Sequence, residues 1–222
     1  ARYAPAAYAL FIASAATLFL NTGLLELRRG VLTPMQDLAL DKVSQFLHVV
    51  PVILALTLVA RRDLKSVFIA RGKLKAGLIF GGVSFVLWAI LAYFLQAGAG
   101  GFGPLNATGF PQVEAGSILL ALVWVFANST MEELWFRAIF LKPYETLVGR
   151  FAAILITAVI FGASHVNATY EFPGGHVVFG VVVFVLGVVG AYSMYKTDSL
   201  IGAVLFHAGY DLTIIVPVLN SA

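Results

Sequence analysis

Apolar residues run along this chain in long stretches, interrupted by short polar or glycine-rich breaks. Seven stretches read as helices: Pro5–Leu27, Val43–Ala60, Leu74–Gln96, Ala115–Leu141, Phe151–Val166, His176–Tyr195 and Leu200–Leu219. Most approach the length of about 20 apolar residues that a helix needs to cross a bilayer core. None alternates apolar and polar residues as a half-buried strand does, and no internal repeat is convincing. The pattern predicts an all-α, polytopic transmembrane bundle of about seven spans, with its characteristic core in the last four. The Gly-rich stretch Ala97–Pro111, with Pro104 and Pro111, is the clearest loop. It divides residues 1–110, the N-terminal transmembrane helices, from residues 111–222, a bundle holding nearly all the charge that falls inside spans.

Composition supports this reading. The 222 residues are 60% hydrophobic and 11% charged, against roughly 25% charged in a soluble domain, and mean hydropathy is +0.94. A net charge of +3 and a pI near 9.2 are compatible with nucleic-acid binding. The basic residues, however, sit in short gaps between apolar runs, as topology signals do, so no nucleic-acid partner is expected. The absence of cysteine excludes disulfides, thiolate metal sites and a cysteine nucleophile. The first apolar run, from Tyr3, is too long and poorly flanked for a cleavable signal peptide.

Basic residues alternate between gaps. Arg61, Arg62, Lys65, Arg71, Lys73 and Lys75 follow the second span, Lys142 and Arg150 the fourth, and Lys196 the sixth, whereas Ala97–Glu114 holds none. By the positive-inside rule these basic loops are cytoplasmic, Ala97–Glu114 lies outside, and the N- and C-termini lie inside and outside respectively. The expected location is the cytoplasmic membrane of a prokaryote. Arg28 and Arg29 fall on the wrong side of this scheme.

The chemistry lies in charges within apolar helices. The fourth span carries Glu132, Glu133 and Arg137. A charge at mid-membrane costs about 2.5–3.5 kcal/mol on insertion scales, so such groups face the bundle interior and usually have a function there. Glu133 and Arg137, four apart, can pair, leaving Glu132 to face another group; a purely structural ion-pair cluster is the competing reading. Phe161 and His165 share a face of the fifth span, and His207 and Asp211 a face of the seventh. At 1.5 Å rise per residue, Glu132, His207 and His165 lie about 15, 16 and 22 Å from Lys142, Lys196 and Arg150 on the cytoplasmic side. The three groups can therefore share one layer.

Glu132-Glu133-x-x-x-Arg137, Phe161-x-x-x-His165 and His207-x-x-x-Asp211, in this order on late helices, resemble the CPBP intramembrane protease family. That family includes the prenyl-protein CAAX endopeptidases of the Rce1 type and bacterial relatives of the Abi type, some linked to bacteriocin self-immunity. The resemblance covers about Ala115–Leu219. It implies an endopeptidase of a membrane-anchored protein or peptide within the lipid bilayer. Glu132 would activate water, helped by His165. Glu133 and Arg137 would brace the site, with Phe161 beside them, and His207 and Asp211 would stabilise the oxyanion. The prenyl-protein enzymes typically carry Asn where this chain has Asp211, and an ionised Asp cannot donate a hydrogen bond. No cofactor is implied, with zinc on the two histidines and a carboxylate as the alternative; no HExxH is present. The rival functions are a non-proteolytic scaffold or immunity protein of the same fold and a proton-coupled transporter.

Other features read as structural. His48 and His176 are expected at interfaces, and Gly180, Gly187 and Gly190 at close helix contacts. Asn106, Asn128 and Asn167 each begin a glycosylation-type triplet, with Asn128 expected inside the membrane. A Ser164–His165 dyad is not expected, because helix neighbours do not face each other. No GxGD aspartyl motif occurs.

Overall fold

A computed structural model describes residues 2–28, 30–60, 62–98, 115–166 and 175–216. Among these the regular structure is helical: α1 (Ala4–Leu20), α2 (Pro34–Val59), a 3-10 turn (Leu64–Val67), α3 (Leu74–Gly98), α4 (Ala115–Glu132), α5 (Ile139–Val148), α6 (Arg150–Ser164), α7 (Gly175–Thr197) and α8 (Ile201–Ile215). α4 runs into α5 through a π-helical turn, Glu133–Ala138, making one rod, Ala115–Val148. The seven expected spans therefore appear as seven apolar rods. Four of them are long and apolar enough to cross a membrane, and α1, α6 and α8 are shorter. Leu78, Val83, Leu87 and Phe94 on α3 and Val177, Val181 and Val185 on α7 are exposed, apolar helix surface of the kind lipid covers.

Three boundaries differ from expectation, each for a local reason. α1 ends at Leu20, not Leu27, because Gly23 turns the chain at φ +62°. Leu25 N and Leu27 N then donate to His48 Nε2 and Ser44 Oγ of α2, both at 3.0 Å. Backbone groups that a helix would satisfy internally find side chains instead. His48 is accordingly a buried bracket for this segment rather than an interfacial residue. α2 starts nine residues before Val43: the Thr33 hydroxyl accepts from Gln36 N, and the Gln36 side chain accepts from Thr33 N, a capping box that draws the polar turn into the helix. The fourth rod runs past Leu141, so Lys142 and Pro143 are helical.

The basic gaps gather at one end of the bundle. Lys142 Nζ donates to Lys65 O at 2.6 Å and to Asp198 Oδ1 at 3.0 Å. Lys73 N donates to Thr197 O, and Leu200 N to Phe68 O. Gly72, at φ +48°, lies so close to the Thr197 and Asp198 carbonyls that any Cβ would collide with them. Arg28, the residue on the wrong side of the charge count, is bonded to Glu26 at 3.0 Å and lies 3.9 and 3.7 Å from Asp37 and Asp41. Its positive charge is offset where it stands. Arg29, Arg61 and nearly all of the expected outer loop Ala97–Glu114 lie outside the described residues, as do Asn106, Asn167 and the end of the seventh expected span.

α3 packs along α8 and α2 along α4. Small residues set the α3–α8 spacing: a Cβ on Gly209 would come 2.7 Å from Phe85 Cα, and one on Gly81 2.6 Å from Leu205 Cβ. α7 meets α6 in the same way, with Gly180 against Gly162 and Gly187 against Ala158. These contacts enclose a polar centre bounded by α4, the π turn, α6, α7 and α8.

Candidate active site

Arg137 lies at the base of the site, fully buried, and its guanidinium donates through Nε and Nη2 to both carboxylate oxygens of Glu133, the Nε bond being 2.6 Å. It also stacks 4.0 Å from the centroid of the Phe161 ring, a contact that gives the cation an electrostatic partner where no water reaches it. The pair fits because α7 presents Gly190 there: a Cβ would come 3.1 Å from Glu133 Oε2 and 3.3 Å from Arg137 Nε. Gly190 is thus a helix-contact glycine, as expected, and also makes space for the ion pair.

Glu133 Oε1 lies 2.8 Å from His207 Nδ1. A carboxylate braced by Arg137 accepts, so Nδ1 donates and Nε2 faces the other way. That nitrogen lies 3.7 Å from Glu132 Oε2 and 3.5 Å from Asp211 Oδ1. His165 approaches Glu132 Oε2 from α6, also at 3.7 Å through Nε2. Its Nδ1 lies 2.8 Å from Phe161 O; a carbonyl only accepts, so Nδ1 carries the proton. Phe161 touches both imidazoles, with ring centroids 4.6 Å from His165 and 5.7 Å from His207.

All seven residues singled out from sequence therefore meet in one place: Glu132, Glu133, Arg137, Phe161, His165, His207 and Asp211. Around Glu132, His165, His207 and Asp211 a cavity of about 20 Å³ is walled by Trp124, Phe179 and Val183. One member was missed. Asn128 is buried and donates from Nδ2 to Asp211 Oδ2 at 3.0 Å, tying α4 to α8. Its spacing of four from Glu132, on the same helical face, was the available signal.

Two local features depart from regular helix geometry. The helix carrying Glu132 and Arg137 is not regular: the π turn begins at Glu133, and such turns are frequent at functional sites. Ser164 and His165 do face each other, Oγ to Nδ1 at 3.2 Å, because α6 ends at Ser164 and His165 lies beyond its last helical turn. The contact still makes no nucleophile, since the Nδ1 proton is committed to Phe161 O. His176 is exposed at the start of α7, apart from this centre. Among the described residues, no group of three His, Asp or Glu side chains is arranged as metal ligands.

Fold and site together define an integral membrane protein of bundled helices with a buried acid–imidazole centre. Residues 114–213, the segment that builds this centre, match the family described as type II CAAX prenyl endopeptidase Rce1-like, as the sequence motifs indicated. The match spans Asn128 and all seven residues named above. No curated protein and no solved structure matches the chain.

Proposed function

We propose that the chain is an intramembrane endopeptidase in which Glu132 activates water for attack on a peptide bond of a membrane-associated protein or peptide. One observation carries this reading: Glu132 Oε2 is buried without a hydrogen-bond partner, 3.7 Å from Nε2 of both His165 and His207. Such an oxygen is a free base in a nearly dry pocket, where proton transfer and charge stabilisation act with little solvent competition.

The roles follow from the bonds. Glu132 takes a proton from water as the water oxygen attacks the carbonyl carbon. His165, with Nδ1 held by Phe161 O, keeps Nε2 aimed at Glu132 and helps pass that proton to the leaving amine as the C–N bond breaks. His207, held through Nδ1 by Glu133, acts as an imidazolium and presents Nε2–H to the oxyanion, with Asp211 beside that nitrogen to orient it. Arg137 and Glu133 fix this imidazole without touching substrate. The mechanism uses no cofactor. The family description makes a prenylated C-terminal segment the first substrate class to try. The basic end is proposed as cytoplasmic.

The test uses an internally quenched farnesylated peptide with a CAAX terminus, in proteoliposomes. Glu132→Gln is expected to lower turnover by about 100-fold or more, the scale of lost general-base catalysis, with thermal stability unchanged. Near wild-type turnover in that variant would end this reading.

A further inference from the structure

Of the buried polar atoms without a hydrogen-bond partner on the residues that line the cavity, two are carbonyl-type oxygens on α4, and the others are Trp124 Nε1 and Tyr210 Oη. Glu132 Oε2 and Asn128 Oδ1 are both buried without a hydrogen-bond partner among the described residues. Their residues are four apart, on one face of the helix, and both line the cavity shared with His165, His207 and Asp211. The Asn128 amide is not free to choose its orientation. Its Nδ2 lies 3.0 Å from Asp211 Oδ2, an acceptor, so the nitrogen end faces that carboxylate and Oδ1 is turned away from it.

An orphaned buried acceptor costs about 1–3 kcal/mol. Two of them on one cavity wall call for a ligand with two donors and no bulk. The cavity holds about 20 Å³, above the roughly 10–15 Å³ that one water requires. Water is that ligand.

We infer that Asn128 is a second catalytic residue that binds the hydrolytic water jointly with Glu132, Oδ1 accepting one of its hydrogens and Glu132 Oε2 the other. The inference rests on Glu132 as the base. With both hydrogens held against α4, an oxygen lone pair points away from that helix, toward the space bounded by His165 and His207. As the oxygen bonds to the carbonyl carbon, the hydrogen on the glutamate side moves to Oε2. The other stays on the new hydroxyl, held by an amide that cannot accept a proton. Asp211 thereby gains a further role: it locks the Asn128 amide, because a flipped amide would set its oxygen against the carboxylate.

The experiment measures kcat and KM for the farnesylated reporter together with thermal stability. Asn128→Ala, which removes the acceptor without adding bulk to the cavity, is expected to lower kcat by about 100-fold, the scale for a misplaced reactant, with KM unchanged. The exchange Asn128→Asp with Asp211→Asn rebuilds an amide–carboxylate pair and returns an acceptor to position 128, so it is expected to recover most of kcat. A loss confined to thermal stability, with kcat per folded molecule unchanged, would overturn the inference, as would an exchange variant that is fully stable yet inactive. If the wild type leaves the reporter uncut, the proposed function fails for that substrate, and an experimental structure that resolves water decides the inference separately. One water bonded to both Glu132 and Asn128 supports it; a water bonded to neither overturns it.

Discussion

His207 is held through Nδ1 by Glu133, 2.8 Å away, while its Nε2 faces Glu132 and Asp211. One imidazole therefore separates a structural carboxylate, bound to Arg137, from the acids of the cavity. Removing the Glu133 charge strands a fully buried guanidinium. Breaking a buried pair in this way costs about 3–5 kcal/mol. Glu133→Gln and Arg137→Ala are each expected to lower the thermal midpoint in detergent by about 5 °C or more, with activity falling alongside. This separates them from Glu132→Gln, which loses turnover alone; equal stability in all three variants would mean that the buried pair does not hold the site.

Gly190 gives an independent probe, because the substituted atom lies on a different helix. A methyl group there reaches both partners of the Glu133–Arg137 pair, and the close-packed interior leaves little room to shift. Gly190→Ala is expected to reduce both stability and turnover, costing about 1–3 kcal/mol as overpacking does. Gly82→Ala, whose Cβ meets nothing within 4 Å, serves as the matched control. A Gly190→Ala protein as stable and active as that control would contradict the packing described.

Topology is testable because the chain contains no cysteine. Lys65, Lys142 and Asp198 are bonded at one end, so single cysteines at positions 65 and 198 are expected to react from the same side of the membrane. A cysteine at Thr22, beyond the far end of α1, is expected to react from the other. Reaction of positions 65 and 198 with an impermeant reagent in intact cells would reverse the orientation read from charge.

Chelation tests the cofactor-free mechanism. Turnover of the reporter is expected to survive treatment with a strong zinc chelator. Complete loss restored by added zinc would recast His165, His207 and Glu132 as ligands.

Most of the site was legible because ionisable side chains within apolar helices are costly unless they have a purpose. Glu132, Glu133, Arg137, His165, His207 and Asp211 stand out on that ground, and periodicity places them on shared faces. Asn128 did not stand out: an uncharged amide is less conspicuous in an apolar helix than a charge, and its triplet resembled a glycosylation signal. The spans were legible for the same energetic reason, but their ends were not. Leu24, Leu25 and Leu27 look helical, yet their segment is held by His48 and Ser44, which come from another helix. The start of α2 depended on a capping box in a polar stretch that hydropathy alone passes over. The π turn left no trace in apolar spacing.

That turn has a consequence for how the protein tolerates change in length. A π-helical turn holds one residue more than the α-helix around it, so the rod from Ala115 to Val148 carries an extra residue without losing the common phase of its two halves. The first half is phased so that Asn128 and Glu132 face the cavity. The second is phased so that Lys142 reaches Lys65 and Asp198. Because the wider turn absorbs its extra residue, deleting one residue from 134 to 136 would restore an unbroken α-helical ladder and leave the two halves close to their present phase. Glu132 and Lys142 would keep their partners, and the change would fall on Glu133 and Arg137, drawn from four residues apart to three, although every residue named in the mechanism would still be present in the chain.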